Sequence, residues 1–245
     1  MVVLLKKIQY KLYIGYSRVK VKKEGGYCPC CERYVTFWKP YGTRKLRFNA
    51  ECPLCRAAER ERAEILFIKN LNFNNKIVLH FAPEKSIFDF LSRTVKKMNY
   101  ITADIEKSPY VNTIVDITKI PFEDSSIDYI ICNHVLEHVD EHNCAIQELA
   151  RVLKEDGICI ITVPIDEKHI TFQDNSIKTK EQKIKFYGEE NHVRMYGKDF
   201  EDILSEFGLY AKKRYVHELI DKKTSAKMGL QAREYFFECK KYRIN

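Results

Sequence analysis

Two Cys-x-x-Cys pairs form the densest group of reactive side chains in this sequence. Cys28 and Cys31 make the first pair, and Cys52 and Cys55 make the second after twenty intervening residues. Zinc prefers four tetrahedral ligands, and thiolates on two tight turns can reach one ion without strain. The spacing therefore predicts a structural Zn²⁺ site, in which Cys30 is an alternative ligand to Cys31. Free or redox-active cysteines are the competing interpretation.

A second group of candidate residues stands where predicted strands end. His80, Asp104, Asp116, Asn133 and Pro164 each follow an apolar run. Ligands of an open parallel sheet bind in the crevice beyond the carboxyl ends of its strands, so these positions predict one shared site. An acidic residue placed like Asp104 accepts hydrogen bonds from a ribose diol, and Asp116 is placed for an adenine amino group. The pattern predicts an enzyme that binds a nucleoside cofactor.

Three alternating residues are candidates for the chemical step. His192, Arg194 and Tyr196 would point the same way in an extended segment. A histidine can take a proton from a hydroxyl or a nitrogen near neutral pH, and an arginine can hold a phosphate or carboxylate through two hydrogen bonds. We expect a base, an anion-binding group and an aromatic wall beside the reacting group. The alternative is a loop that hydrogen bonds hold in place.

One further cluster follows the fourth strand of the predicted sheet. His134, Glu137 and His138 are expected to begin a helix, where positions four apart share a face. Two histidines on one face are compatible with a metal site, but the sequence specifies no third ligand.

The elements that position these residues alternate between strand and helix, which predicts an α/β fold with a doubly wound, mostly parallel, seven-stranded sheet. Periodicity predicts strands at 76–81, 100–103, 113–116, 127–132, 158–163, 209–216 and 234–240. Helices are expected at 57–71, from Ser86, at 140–154 and at 198–208, and a polar loop at 165–195. The helix at 57–71 carries alternating Glu and Arg opposite its apolar side. We expect two domains: 1–71, with a cysteine ribbon at about 21–56 and a linking helix, and 72–245.

Composition sets the remaining limits. The chain has 245 residues, 45% of them hydrophobic, and a net charge of +8 that is spread along the sequence. A diffuse excess of this kind only weakly indicates an anionic partner. No apolar run approaches the ~20 residues that cross a bilayer, and we expect the apolar start of the chain to pack against the body rather than on a membrane. Cysteines scattered in apolar surroundings favour a reducing, cytoplasmic location.

The motifs between Asp116 and Pro164 resemble those of class I S-adenosylmethionine-dependent methyltransferases of the type 11 branch. The matching residues are Asp116-Ile117, Pro121-Phe122, Asp124, Ser126, Asp128, His134 to Val139, Glu148-Leu149, Arg151 to Lys154, Gly157 and Val163-Pro164. The resemblance covers about residues 76–240. It implies a Rossmann-like methyltransferase domain and S-adenosyl-L-methionine as cofactor. The expected cofactor-binding residues are His80, Ala82, Pro83, Glu84, Asp104, Ile105, Asp116, Ile117, Asn133 and His134. The resemblance also implies that His134 lines the cofactor pocket and that His138 supports packing, rather than that the two bind a metal ion.

The sequence departs from the family after its first strand. The family has a Gly-x-Gly loop there, whereas residues 79–84 contain no glycine. Ala82 is the smallest replacement, and Glu84 could supply a carboxylate for the amino group of the cofactor. A subset of methyltransferases with an N-terminal cysteine ribbon is similar at this loop and at His192 to Gly197.

We therefore expect a methyltransferase whose acceptor is a small molecule or a saccharide-linked intermediate. A methyltransferase of rRNA or tRNA, which would use the ribbon to hold RNA, is the first alternative. A non-catalytic, zinc-dependent binding protein with a relic fold is the second.

Overall fold

The computed structural model describes residues 9, 11–17, 19, 25–42, 46–231 and 233–241. Residues 11–17 are helical, and the expectation for the first eight residues lies outside the described part of the chain. Within the described ranges, no helix is long and apolar enough to cross a membrane.

Thirteen strands and seven labelled helices make up the described fold. The strands are β1 (Gly26–Cys28), β2 (Arg33–Val35), β3 (Lys39–Tyr41), β4 (Arg47–Glu51), β5 (Ile77–Phe81), β6 (Asn99–Asp104), β7 (Thr113–Ile114), β8 (Ile127–Asn133), β9 (Leu153–Thr162), β10 (Ile165–Asp166), β11 (Tyr196–Gly197), β12 (Leu209–Tyr215) and β13 (Tyr235–Lys241). The helices are α1 (Glu59–Ile68), α2 (Lys85–Thr94), α3 (His142–Val152), α4 (Lys180–Tyr187), α5 (Phe200–Glu206), α6 (Val216–Leu219) and α7 (Lys222–Lys227). A 3₁₀ turn spans Leu136–His138.

A seven-stranded sheet has the order β12-β13-β9-β8-β5-β6-β7. Strands β5 to β9 pair in parallel, and β13 is antiparallel to β9. The predicted α/β sheet is thereby confirmed. Because β5 has β6 on one side and β8 on the other, the chain changes direction at β5. In this class of sheet, ligands bind at that switch point.

The middle of the sheet is buried on both faces, which explains its uninterrupted apolar sequence. Val78 and Leu79 in β5, and Ile130 in β8, are completely buried. Helix α3 adds Ile146 and Leu149 to the buried set at a spacing typical of one helical face. This buried apolar core holds the strands, and therefore the strand ends, at fixed positions beside one another.

The expectation of a loop over 165–195 is wrong for part of that segment. Helix α4 lies within it and begins with a capping box, in which Thr179 and Gln182 bond each other's backbone groups. Only Tyr187 of this helix is buried, so the apolar stripe that would have predicted the helix is missing. Strands β10 and β11 also form a short parallel pair here.

The chain divides into two compact units. One comprises Met1–Asn72, Glu84–Thr94 and Arg214–Phe236, and the other comprises Phe73–Pro83, Val95–Lys213 and Phe237–Asn245. The first segment ends next to the domain boundary expected after residue 71, and two later segments group with it. The sheet strands β5 to β9 all belong to the second unit.

In the first unit, the charged side of α1 is buried. Arg62 donates hydrogen bonds to the carbonyl groups of Asn49, Ala50, Ala57, Met228 and Gly229. Its guanidinium also lies 4.3 Å from the ring centre of Trp38. These contacts join chain segments that are far apart in sequence, and they explain why a charged helix face is retained in the interior.

Candidate functional site

A cavity of ≈ 810 Å³ opens beyond the carboxyl ends of β5, β6, β7 and β8. Its walls come from the last residues of β5 and β6 and from the loops that follow the four strands. They are Phe81, Ala82, Asp104, Ile105, Glu106, Val115, Asp116, Ile117, Thr118, His134, Val135, His138, Val139, Asp140 and Glu141. Six of the ten predicted cofactor-binding residues are in this set. Four parallel strands therefore bring them together as the strand order predicts.

Ala82 makes the sharp turn after β5 that a glycine would otherwise make. Its φ is +44°, in the left-handed region, and its backbone N–H donates to the carbonyl of Ala103 at 2.8 Å. A residue other than glycine pays on the order of 1–3 kcal/mol for such a conformation, and this kind of strain is concentrated at functional sites. Ala82 is half-buried and lines the cavity with one of the smallest side chains.

Two carboxylates face the cavity from neighbouring strand ends. Asp104 ends β6, and its Oδ1 accepts a hydrogen bond from the backbone of Glu106 at 3.2 Å. Asp116 Oδ1 accepts hydrogen bonds from the backbone N–H and the hydroxyl of Thr118, at 2.8 and 2.7 Å. These bonds favour the charged form, so the pKa of Asp116 is lowered, first by the backbone group and then by the hydroxyl.

His134 contributes a polar atom that lacks a protein partner. Its φ of +52° turns the chain sharply after β8. The ring Nδ1 lies 2.9 Å from Glu137 Oε1, whereas the buried Nε2 has no hydrogen-bond partner in the described residues. A buried polar atom without a partner is costly and calls for an explanation. A ligand in the cavity that His134 lines would provide one.

Four predicted cofactor residues are not among those that line this cavity, and their assignment stays a prediction. His80 is completely buried, and its Nδ1 is 2.7 Å from the hydroxyl of Tyr100. Asn133 accepts a hydrogen bond from Thr162 at 2.8 Å, and Pro83 is buried. Glu84 is assigned to the first compact unit. Strand β5 continues one residue beyond His80, so Phe81 and Ala82 line the cavity in its place.

Several lining residues were not predicted from the sequence. Glu106, Thr118, Val135 and Asp140 belong to the loops after the strands rather than to the strand ends. Their only signal was their place within a few residues of Asp104, Asp116 and Asn133.

His192, Arg194 and Tyr196, the predicted catalytic residues, are all buried. Arg194 donates to the carbonyl groups of Leu136 at 2.6 Å, Asp140 at 2.7 Å and Val139, and twice to Gln173 Oε1 at 3.1 and 2.9 Å.

These bonds use all five N–H groups of a guanidinium. They hold the 3₁₀ turn and the residues after it, as in the alternative of a loop fixed by hydrogen bonds. The catalytic assignment stays a prediction.

Tyr196 completes the support of the same turn. Its hydroxyl donates to the carbonyl of Leu136 at 3.3 Å and lies 3.0 Å from His142 Nδ1. Burial raises the pKa of Tyr196 and lowers that of Arg194. Burial, with a smaller contribution from the charge of Arg194, lowers the pKa of His142 to about 4. A neutral imidazole, a neutral phenol and a cation therefore share this interior.

The helix expected to begin at His134 is absent. A 3₁₀ turn over Leu136–His138 precedes α3, which starts at His142. His134 precedes this turn and His138 ends it, so the two histidines do not share the face of one helix.

In the first unit, the four cysteines of the two Cys-x-x-Cys pairs come together. The distance between Sγ atoms is 3.7 Å for Cys28 and Cys55, and 4.0 Å for Cys31 and Cys52. Four thiolates at 2.3 Å from one zinc ion stand about 3.8 Å apart when they form a tetrahedron. The cluster contains Cys31 and not Cys30, which is buried next to it.

The seven-stranded, mostly parallel sheet has the Rossmann-like architecture of class I methyltransferases. Residues 91–161 match the family model described as a methyltransferase domain. The matched segment includes part of α2, all of β6 to β8, α3 and most of β9. It therefore contains three of the four strands whose ends form the cavity.

Among curated proteins, an uncharacterized protein of Methanocaldococcus jannaschii, MJ1123, is 35% identical over 89 residues. That alignment spans 36% of this chain and 41% of the relative, so the chain spans about two-fifths of the protein it matches.

Two solved structures share the fold. One is a chain from the complex between the Haloferax volcanii Trm112 methyltransferase activator and a candidate methyltransferase, with a TM-score of 0.51, 11% identity and coverage of 75% of this chain and 89% of that one. The other is the [4+2]-cyclase SpnF, with a TM-score of 0.50, 12% identity and coverage of 76% and 82%. At these identities the likeness shows the fold alone.

Proposed function

We propose that this chain is a methyltransferase that uses S-adenosyl-L-methionine and acts on a small polar acceptor. The observation that carries the proposal is the position of Asp104 and Asp116 on one cavity, at the ends of β6 and β7 and beside the tight turn at Ala82. The match of residues 91–161 to a methyltransferase domain supports the same function. Bound cofactor would supply an activated methyl group on a sulfonium.

The cavity fits such a cofactor in size and in chemistry. Its ≈ 810 Å³ lies within the range of about 300–1,000 Å³ that is usual for ligand pockets. The Asp104 carboxylate would accept hydrogen bonds from the ribose hydroxyls, and Asp116 would face the adenine amino group. The tight turn at Ala82 would lie against the methionine portion. His134 Nε2, which has no partner in the described residues, would contact the bound ligand.

A second cavity supports a small acceptor. It has ≈ 210 Å³ and shares Asp140 with the cofactor cavity. Its other lining residues are mostly polar: Gln173, Asp174, Asn175, Ile177, Lys178, Lys183, Tyr187 and Val193. Carboxylate, amide and ammonium groups in so small a space suit a polar metabolite better than a polynucleotide. A saccharide-linked acceptor would have to place its reacting end here.

The cysteine cluster is proposed to hold one structural zinc ion. Its sulfur separations of 3.7 and 4.0 Å agree with four thiolates around one zinc. Four protein ligands leave no open position on the metal, so the ion would stabilise the fold of this segment rather than take part in the chemistry.

Calorimetry with S-adenosyl-L-methionine tests the cofactor assignment. Asp104→Asn should weaken binding about ten-fold or more, because a hydrogen bond to a charged group contributes about 1.5–3 kcal/mol. Asp202→Asn, on the exposed side of α5, is the matched control and should bind like the wild type. An absence of binding by the wild-type protein would favour the non-catalytic alternative.

A transfer assay with labelled methyl groups tests the acceptor. The assay is run in parallel with metabolites, saccharide precursors and RNA as acceptors. We expect the label to be transferred to a small polar molecule. Transfer of label to RNA would instead support the alternative of an RNA methyltransferase. In that case the protein should also bind RNA, with an affinity that falls steeply as the salt concentration rises.

A further inference from the structure

Three side chains that could bind a metal ion converge at the rim of the ≈ 810 Å³ cavity. Glu137 and His138 end the 3₁₀ turn after β8, and His192 precedes β11. Each residue offers one atom that can bind a metal ion, and these three atoms all lie within 4.8 Å of one another. His192 follows His138 by 54 positions along the chain, so the group becomes evident only in the folded protein.

Glu137 gives the strongest indication of a missing ligand. Its side chain is 1% exposed. Oε1 is paired with His134 Nδ1 at 2.9 Å, and Oε2 is buried with no hydrogen-bond partner in the part of the chain that the structure describes. A buried carboxylate oxygen without a partner is strongly unfavourable. A cation at this oxygen would remove that penalty.

The guanidinium of Arg194 interacts electrostatically with Glu137, but its hydrogen-bond donors are already used. Its five N–H groups go to Leu136, Val139, Asp140 and Gln173. None remains for Glu137 Oε2. Arg194 therefore contributes charge to the region and fixes the turn, and the oxygen stays open for another positively charged group.

Both imidazoles are oriented in the way that metal-binding histidines usually are. His138 Nδ1 lies 3.2 Å from the carbonyl of Asn191, and His192 Nδ1 lies 2.9 Å from the carbonyl of Tyr187. A carbonyl oxygen only accepts hydrogen bonds, so each Nδ1 carries the proton and each Nε2 carries the free lone pair. Histidines that bind metal ions usually donate their other ring N–H to such a carbonyl, which fixes the tautomer and the orientation of the ring.

The two segments that carry these ligands are joined by the backbone. The N–H of Val193 donates to the carbonyl of Glu137 at 3.0 Å. Glu189 adds a further carboxylate, with Oε2 4.0 Å from His192 Nε2. The set is thus held in place before any ion binds.

We propose that Glu137, His138 and His192 bind one divalent first-row transition metal ion. Two imidazoles and one carboxylate form a ligand set that is known for zinc and other metals of this series. His138 also lines the ≈ 810 Å³ cavity, so the ion lies at the edge of the cofactor site. The binding of this ion does not depend on the proposed methyl transfer.

Cobalt titration tests the site in the full chain. Protein is first saturated with one equivalent of Zn²⁺ for the cysteine cluster, and Co²⁺ is then added in a calorimeter and followed by visible absorption. We expect about one further equivalent to bind, without the thiolate-to-cobalt absorption that coordination by cysteine would give. His138→Gln and Glu137→Gln should each weaken Co²⁺ binding at least about ten-fold.

His138 is exposed, so its replacement should not disturb folding, and thermal melting verifies this for each variant. His169→Gln is the matched control, because His169 is exposed and pairs with Asp166 outside the cluster. Absence of a second bound equivalent in the wild type would overturn the proposal. Equal affinity in wild type, His138→Gln and Glu137→Gln, or an equal loss in His169→Gln, would also overturn it.

Discussion

Arg194 Nη1 donates a hydrogen bond to the carbonyl oxygen of Leu136 at 2.6 Å, although 57 residues separate the two in sequence. This bond joins the segment before β11 to the turn after β8, which forms one wall of the cofactor cavity. The position of that wall thus depends on a buried arginine that does not itself line the cavity.

Arg194→Ala should therefore destabilise the protein and also weaken cofactor binding. We expect a loss on the order of 3–5 kcal/mol in the free energy of unfolding, because buried carbonyl groups lose charged donors worth about 1.5–3 kcal/mol each. Urea denaturation and calorimetry with S-adenosyl-L-methionine measure the two effects.

Lys198→Ala is the control for this change, since Lys198 is exposed in the same segment. An Arg194→Ala variant with unchanged stability and cofactor affinity but much reduced methyl transfer would show that Arg194 contacts the acceptor, as the sequence analysis expected.

Ala82 provides a second prediction. At a φ of +44°, Ala82→Gly should relieve backbone strain and leave cofactor affinity within about two-fold of the wild type. Ala82→Val should be destabilised and should bind cofactor at least about ten-fold more weakly, because a β-branched residue is a genuine outlier at positive φ and its side chain would enter the cavity. Melting curves and calorimetry distinguish the variants. Equal behaviour of glycine and valine here would mean that the turn does not contact the cofactor.

The cysteine cluster predicts metal content. The double variant Cys52→Ser/Cys55→Ser should contain one zinc ion fewer per chain than the wild type after dialysis against a weak chelator. Elemental analysis measures the loss. Cys144→Ser is the matched control, because Cys144 is exposed and outside the cluster. Full zinc retention by the double variant would rule out these ligands. Because a small module depends on its metal for folding, the variant should also be cleaved faster by protease near residues 25–56.

The sheet was predictable because its strands are strongly apolar and each ends in a recognisable polar residue. Asp104 and Asp116 were found in this way, and the parallel order of β5 to β8 brings them to one cavity. His80 was assigned to the site because it is the polar residue of an apolar run, although the strand, predicted at 76–81, continues one residue further to Phe81. A shift of one residue in a strand moves a side chain to the opposite face.

Long-range polar contacts were not predictable from one sequence. The charged face of α1 resembled a solvated surface, yet Arg62 bonds the carbonyls of Met228 and Gly229. Likewise, nothing in the spacing of Glu137 and His138 indicated that His192 would join them. Such contacts depend on the tertiary fold, whereas periodicity reports only local burial.

His142 gives a prediction of pH dependence. Burial and the nearby charge of Arg194 lower its pKa from the usual 6.5 to about 4 in the folded protein. The unfolded chain therefore binds a proton at His142 more readily than the folded one does. Its contribution to stability is fully present above pH 6.5 and is lost as the pH falls from 6.5 towards about 4. His142→Gln should flatten the fall in stability across this window, which urea denaturation at a series of pH values would measure.

His169→Gln, in an exposed position, should keep the wild-type slope. An NMR titration that found His142 protonated near pH 6.5 in the folded protein would contradict the prediction.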